Sequence, residues 1–544
     1  MSDTILYRAK KIITMDAGRP HATHVLVRNG RFLAVGTADD LAGFGNVKSD
    51  DRFADSILMP GFVEGHTHMD SGNIWQMVYT GTFERTDPDG RHWPGLSDMD
   101  SVLDRLAAHR SNDPETVLLA WGFDPLLLGV SLTRADLDKV SDSQPIVVWH
   151  ASGHIIVANT VAMQKANMFP PRIAHPGIPL GDDGLPIGEL RGIETMVPTA
   201  MALGILNRFM SRDGSGARPF SRMCVRAGVT TATDLANAMT DQALSNLLEI
   251  TARDDFPIRL VPALMDEQLS AEGLVAKASL LRSQSTEKLR MGAIKMIVDG
   301  SIQGFTARLL PPGYYNGAEK GLWYLAPERL GDVYTQAMAS GIQVNTHTNG
   351  DEATDLALQC LQKAVNANPP SDHRFIFQHA QLANPDQFRR MKSLGACVNL
   401  FANHLYYWGD AHVAHTVGPA RAALMNNCRA ALDAGVPLAI HCDEPVTPMA
   451  PLFTAWCAVN RQSGSGKVLG AGQRISVGEA LHAITLGAAH TMKLENEIGS
   501  IAPGKFADMA VLDSDPLAVP PFDLRHIKVQ GTMLGGMFFD ARTI

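Results

Sequence analysis

Residues 57–68 read ILMPGFVEGHTH: a short apolar run that closes on Gly65-His66-Thr67-His68. Seven later stretches share this grammar of an apolar strand running into a polar or glycine-containing loop. They are GVTTATDL (228–235), IRLVPALM (258–265), AIKMIVDG (293–300), IQVNTHTNG (342–350), RFIFQHAQL (374–382), ACVNLFANH (396–404) and PLAIHCDEP (437–445). Helix-like segments such as PERLGDVYTQAMASG and PDQFRRMKSLG lie between them. Strands alternating with helices argue for a parallel sheet, and eight of them for a closed (β/α)8 TIM-like barrel, an α/β fold.

Outward from this core, both ends of the chain change style. ILYRAKKIITMD and HVLVRNGRFLAVG alternate with period two around an Arg28-Asn29-Gly30 turn. FADMAVLDSDP and IKVQGTMLGGMFFD, entered through GSIAPG, repeat that style near the C-terminus. The two ends are therefore expected to meet as one small β-sandwich domain from residues 1–60 and 495–544, with the barrel spanning 61–494. About 160 residues separate the first and second barrel strands, far more than a crossover needs. An inserted subdomain at about 72–220, lying over the barrel mouth, is expected there. It has strand-like runs of its own, ETVLLAWGF and QPIVVWHASGH, and the Gly/Pro-rich FPPRIAHPGIPLGDDGLPIGEL.

Composition excludes several classes. Of 544 residues, 45% are hydrophobic and 19% charged, a globular balance rather than a disordered or coiled-coil one. Lys+Arg 47 against Asp+Glu 56 gives a net charge of -9, and no long basic run suggests nucleic acid or an anionic membrane. The most apolar window, TVLLAWGFDPLLLGV, is broken by Asp124 and Pro125 and falls short of the ~18–20 residues of a membrane helix. Six scattered cysteines without a C-x-x-C pair fit reduced thiols and a cytoplasmic setting. SGSGKV (463–468) has Val468 where a phosphate loop needs Ser or Thr, and reads as a flexible loop.

Barrel enzymes carry their reactive groups at strand C-termini. Here those positions hold His66 and His68, Lys295 and Asp299, His347, His379 and Asp443. Residues i and i+2 of a strand share a face, so His66 and His68 can point together into the barrel. Imidazoles and carboxylates suit a borderline divalent metal such as zinc. Lys295 cannot ligate a cation as an ammonium. Buried and neutral, it can react with CO2 to a carbamate whose two oxygens bridge two ions; alternatively it pairs with Asp299. His441 and Cys442 flank Asp443 and are assigned to packing on the opposite face.

This constellation resembles the amidohydrolase superfamily of metal-dependent hydrolases. PGFVEGHTH, KMIVDGS, HTNGDEATDLAL, CDEPVTP and GSIAPGKFADMAVLDSDP are similar to the family-3 branch that includes N-substituted formamide deformylase. The resemblance implies a binuclear centre, usually two zinc ions, with His66 and His68 on one ion and His347 and His379 on the other. It further implies a carboxylated Lys295 as the bridge, and Asp443 as a ligand that also carries the proton during cleavage of a non-peptide C–N bond. Similar proteins often read G-S-R-T-A after strand four, where this chain has Gly304-Phe305-Thr306-Ala307-Arg308. Phe305 would then offer an apolar substrate contact, and His154 (in Ser152-Gly153-His154) and His404 are further substrate-contact candidates.

The aromatic residues Trp75, Trp93, Phe305, Tyr314, Tyr315, Tyr406, Tyr407 and Trp408 are placed near the mouth. They suggest a neutral, partly aromatic N-substituted amide or formamide. The partners expected are this small-molecule amide and, at most, further copies of the chain as a homo-oligomer. Two other readings compete. A mononuclear deaminase of an aminated heterocycle would pair the strand-five histidine with glutamate in H-x-x-E, where this chain has Gly350. A non-catalytic scaffold on the same fold would be expected to lack several of the six ligands.

Overall fold

The computed structural model describes residues 4–45, 47–111, 113–170, 175–209, 213–369 and 372–544. Two compact units partition the chain: Met1–His68 with Ser221–Ile544, and Met69–Phe220.

In the first unit, eight parallel strands form one sheet in sequence order among the described residues. They are Phe62–Glu64, Val229–Asn237, Arg259–Leu264, Ala293–Ile297, Val344–Thr348, Ile376–His379, Cys397–Leu400 and Leu438–Ile440, here barrel strands one to eight. They coincide with the eight runs read from the sequence, and the architecture is a TIM-like barrel. Strands eight and one meet at a seam: His68 N–H donates to the Glu444 carbonyl at 3.0 Å, and Cys442 N–H to Glu64 Oε1 at 3.3 Å. Helices follow the strands and bury one face. In Asp351–Ala367 the inward positions are Ala353, Ala357, Leu358, Leu361 and Ala364, spaced three and four apart. The helix Pro385–Ser393 starts where Asn384 accepts from two backbone N–H groups and proline occupies the first turn.

The run at 57–68 divides into two strands. Lys48–Pro60 belongs to the sheet of the chain ends, and Phe62–Glu64 to the barrel. Gly61 lies between them, where a Cβ would come within 2.0 Å of Thr230 Oγ1, so the chain can cross here only without a side chain.

Strands from both ends share one seven-stranded sheet. Met509–Leu512 runs antiparallel to Ile57–Pro60, which in turn runs parallel to the first strand of the chain. Asn29 and Gly30 take positive φ in the hairpin between Arg28 and Arg31. Arg259 of barrel strand three ties this sheet to the barrel. Its guanidinium pairs with buried Asp508 at 2.7 Å and lies over the Phe506 ring. SGSGKV is an ordered turn: Ser465 donates to Asp410 through its N–H and its hydroxyl.

The second unit has a five-stranded sheet, with Leu118–Phe123 and Ile146–His150 at its centre. Trp93 and Trp121 lie in its hydrophobic core, with Trp75 packed against them. Asn159 is fully buried. Its amide accepts from Ile146 and Ala162 N–H and donates to the Ser141 and Gln144 carbonyls, a structural role. Residues 171–174 of the Gly/Pro-rich stretch lie outside the described residues. Among the described residues, no helix is long and apolar enough to cross a membrane.

Candidate metal centre

Barrel strands one, six and eight end close together. Just past strand one, His66 turns its Nδ1 to Gln378 Oε1 at 2.8 Å. Gln378 is oriented in turn: its Nε2 donates to Asn345 Oδ1 at 2.8 Å, and its Oε1 also accepts from Asn399 Nδ2. With Nδ1–H donating, His66 Nε2 is the lone-pair nitrogen. That atom faces Asp443 Oδ1 at 3.6 Å and Lys295 Nζ at 3.3 Å. His68 Nε2 lies 3.4 Å from Asp443 Oδ1, and His379 Nδ1 3.7 Å from Asp443 Oδ2. The three imidazole–carboxylate separations, 3.4–3.7 Å, exceed ordinary hydrogen-bond lengths. They lie at or just above the roughly 3.3–3.6 Å between two ligands that each lie about 2.0–2.2 Å from a tetrahedral ion.

His379 and Asp443 both adopt positive φ, 64° and 55°. Each non-glycine residue there costs about 1–3 kcal/mol, strain that clusters at functional sites. His379 Nδ1 and Asp443 Oδ1 are buried and have no hydrogen-bond partner among the described residues. Burial also holds the His66 and His379 imidazoles well below their usual range, so they are neutral, as a metal ligand must be. Buried unpartnered donors at tetrahedral spacing fit a divalent cation.

The other sequence candidates lie around this cluster in different states. Burial pushes Lys295 down to about 7, against the attraction of Asp443. No ion pair joins it to Asp299. The Asp299 carboxylate instead accepts backbone N–H groups from Asn349, Gly350 and Arg308 at 2.8–2.9 Å. Burial nevertheless lifts Asp299 to about 7. The His347 ring lies 4.4 Å from that of His379, but its Nε2 is directed at Asn349 Nδ2 (3.1 Å) and the Gly300 carbonyl. His404 is buried with its ring 4.1 Å from Phe401. Phe305 is half-buried at positive φ against Tyr314. His154 belongs to the second unit, where its carbonyl accepts from Gly192 N–H. Of the aromatics placed near the mouth, Trp93, Tyr314 and Trp408 are buried packing residues, and Tyr406 and Tyr407 pack on Phe453.

His441 corrects the sequence reading. It stacks on His66, with centroids 4.6 Å apart and planes at 17°, and lies 5.0 Å from His379, so it is part of the cluster. One ring nitrogen from each of His66, His379 and His441 lies within 4.8 Å of the other two. The i, i+2 rule that joins His66 to His68 also puts His441 on the face of Asp443; only the residue between them alternates away. Cys442 does so, its N–H donating to Glu64 and its Sγ packing on Met449 Sδ. Glu64, Gln378, Asn399 and Asn349 also escaped sequence reasoning. Their signal was a polar side chain at or just after an otherwise apolar barrel strand.

A sequence model of the amidohydrolase family matches residues 54–538. The chain belongs to the amidohydrolase family. Among curated relatives of this amidohydrolase, Protein LONG AFTER FAR-RED 3 of Arabidopsis thaliana is 29% identical, over 93% of this chain and 86% of that one. N-substituted formamide deformylase of Arthrobacter pascens is 25% identical, over 100% of this chain and 99% of that one. Among solved structures, an uncharacterized metal-dependent hydrolase from Pyrococcus horikoshii superposes with a TM-score of 0.71 at 20% identity, covering 95% of this chain and 99% of its own. A zinc-bound adenosine deaminase from Xanthomonas campestris reaches 0.52 at 15% identity, covering 98% of this chain and 92% of its own. These likenesses support the fold.

Proposed function

We propose that this amidohydrolase is a metal-dependent enzyme that hydrolyses the C–N bond of a neutral N-substituted amide or formamide. The observation that carries the reading is the approach of three imidazoles to one carboxylate, Asp443, at ligand-like rather than hydrogen-bond spacing. The near full-length likeness to a formamide deformylase supports the substrate class.

His66, His68 and Asp443 would hold one divalent ion, and His347 and His379 a second. A set of nitrogen and oxygen donors suits zinc. A bound cation there supplies Lewis acidity, polarising a carbonyl and lowering the pKa of a water. Lys295, brought near neutrality by burial, is poised for carbamate formation: its amine adds to CO2, an N–C bond forms and one proton is released. The carbamate oxygens would join the ligand set that holds the metal.

Asp443 does the proton work. Its carboxylate accepts a proton from the attacking water as the C–O bond forms, then delivers it to the amide nitrogen as the C–N bond breaks. The products are an amine and a carboxylic acid, formic acid in the formamide case. Phe305 and His404 are the substrate contacts of this reading within the barrel unit. Six buried free thiols suit a reducing cytoplasm.

Metal analysis of the purified protein, followed by a panel of N-formyl, N-acyl, carbamate and cyclic-amide compounds with zinc-replete enzyme, tests the reading. The expected result is close to two metal equivalents per chain and turnover of N-formyl or N-acyl amines. Failure to retain any metal, or preference for carboxylated substrates, overturns it.

A further inference from the structure

Barrel strands one and eight each end in a pair of donor side chains two residues apart, His66 with His68 and His441 with Asp443. The backbone contact between His68 and Glu444 holds the two pairs side by side across the seam. Three of these four belong to the reading above. We infer that His441 is a further metal ligand, so that the buried end of the centre is a three-imidazole set of His66, His379 and His441. This inference rests on the metal-dependent reading and extends it to a residue outside that ligand set.

Two observations carry it. One ring nitrogen from each of the three histidines lies within 4.8 Å of the other two, and all three residues are buried. Both His441 ring nitrogens are also without a hydrogen-bond partner among the described residues. A buried polar atom with no partner costs about 1–3 kcal/mol. The slot between His66 and Phe401, whose rings lie 4.6 and 4.9 Å from that of His441 in nearly parallel planes, would suit phenylalanine without that cost. An imidazole there gains over a phenyl ring only by giving a lone pair to something, and the atoms facing it are two other lone-pair donors. The cations of the centre would give each of the three lone pairs its acceptor.

The variants His441→Phe and His441→Asn separate a ligand from a packing residue. Phe keeps the stacked ring and removes both nitrogens; Asn keeps a polar group and removes the ring. Zinc affinity is measured by competition with a chromophoric chelator, together with the visible spectrum of the cobalt-substituted protein. Orienting residues around a metal ligand cost about 10–100-fold in affinity. A true ligand is expected to cost at least about 100-fold in His441→Phe and to change the cobalt spectrum. X-ray absorption on the wild-type zinc protein, counting imidazoles, is independent of whether the variants fold. A count that includes His66, His68, His347 and His379 but no fifth ring overturns the inference, as does a His441→Phe protein with unchanged affinity and spectrum. Wild-type protein that binds no zinc at all would instead sink the hydrolase reading beneath it.

Discussion

Two sides of one barrel end handle their buried polar groups in opposite ways. Past strands four and five, the buried carboxylate and most of its polar neighbours are closed on one another, Asn349 Oδ1 and Gln303 Oε1 being left over. Asp299 accepts three backbone N–H groups, and Asn349 donates to the Gly300 carbonyl at 2.8 Å and approaches His347 Nε2. Past strands one, six and eight, His379 Nδ1, both His441 ring nitrogens and Asp443 Oδ1 have no hydrogen-bond partner among the described residues, although all three residues are buried. The orienting bonds exist there too, but behind the ring, as in Gln378 on His66 Nδ1. A satisfied network fixes backbone, whereas an unsatisfied one held rigid from behind is prepared for a ligand. Mutation of the Asp299 network should therefore show in stability, and mutation of His379, His441 or Asp443 in metal binding and rate.

The largest effect is expected at Asp443. Asparagine tolerates the left-handed backbone that Asp443 adopts, so Asp443→Asn should fold normally while losing the base. We expect kcat/KM to fall about 100- to 10,000-fold, with the melting temperature of the metal-free protein unchanged. A loss below about tenfold would show that the open side is not the reacting one.

Asp299→Asn probes the closed side. An amide puts an NH2 group against N–H donors, and at least one of the three bonds is lost. A buried N–H left without its acceptor costs about 1–3 kcal/mol, so unfolding free energy should drop by about 2 kcal/mol in a denaturant titration. Metal content should stay at the wild-type level. Normal stability with lost metal would erase the contrast between the two sides.

What could be read from the amino acids divides along the same line. The eight strands were legible because barrel strands buried on both faces are short apolar runs, and their ends stood out by carrying His, Lys or Asp. The break at Gly61 was not, since ILMPGFVEGHTH is continuous in hydropathy and only the closeness of Thr230 shows where one sheet ends and another begins. His441 was hidden by misassigning a face, an error that the spacing of His66 and His68 could have prevented. Gln378, Asn399 and Asn349 look like ordinary strand and loop polar residues until a neighbouring ring gives them something to orient. For Lys295 the sequence left two partners open, and the backbone hydrogen bonds that occupy Asp299 depend on loops distant in the chain.

A smaller effect is expected one layer behind the ligands. Gln378→Leu fills much the same volume but leaves His66 Nδ1 without its acceptor, so the ring can rotate or change tautomer. Zinc affinity should fall about 10–100-fold by chelator competition, with stability lowered by about 1–2 kcal/mol for the lost hydrogen bonds. Unchanged affinity would mean that the ring is held by its stacking on His441 alone.

The smallest effect at neutral pH separates a buried histidine with partners from those without. His412 is fully buried, its Nδ1 paired with Thr416 Oγ1 at 2.8 Å and its Nε2 facing Gln381 Nε2 at 3.1 Å. Burial lowers it from 6.5 to about 3. Between those values the unfolded chain holds a proton that the folded chain does not, so stability rises with pH through that window. The contribution of neutral His412 is complete above about pH 6.5 and is lost as pH falls toward 3, by up to about 1.4 kcal/mol per pH unit. His412→Gln should flatten the acid limb of a stability-versus-pH curve by one proton, equally in metal-free and zinc-loaded protein, because His412 lies outside the proposed ligand set. The histidines of the open side should behave otherwise: zinc withholds their lone pairs from protons, so loading the metal should itself shift the acid limb. A His412→Gln effect present only in the metal-free protein would couple the two sets of histidines and blur the boundary drawn between them.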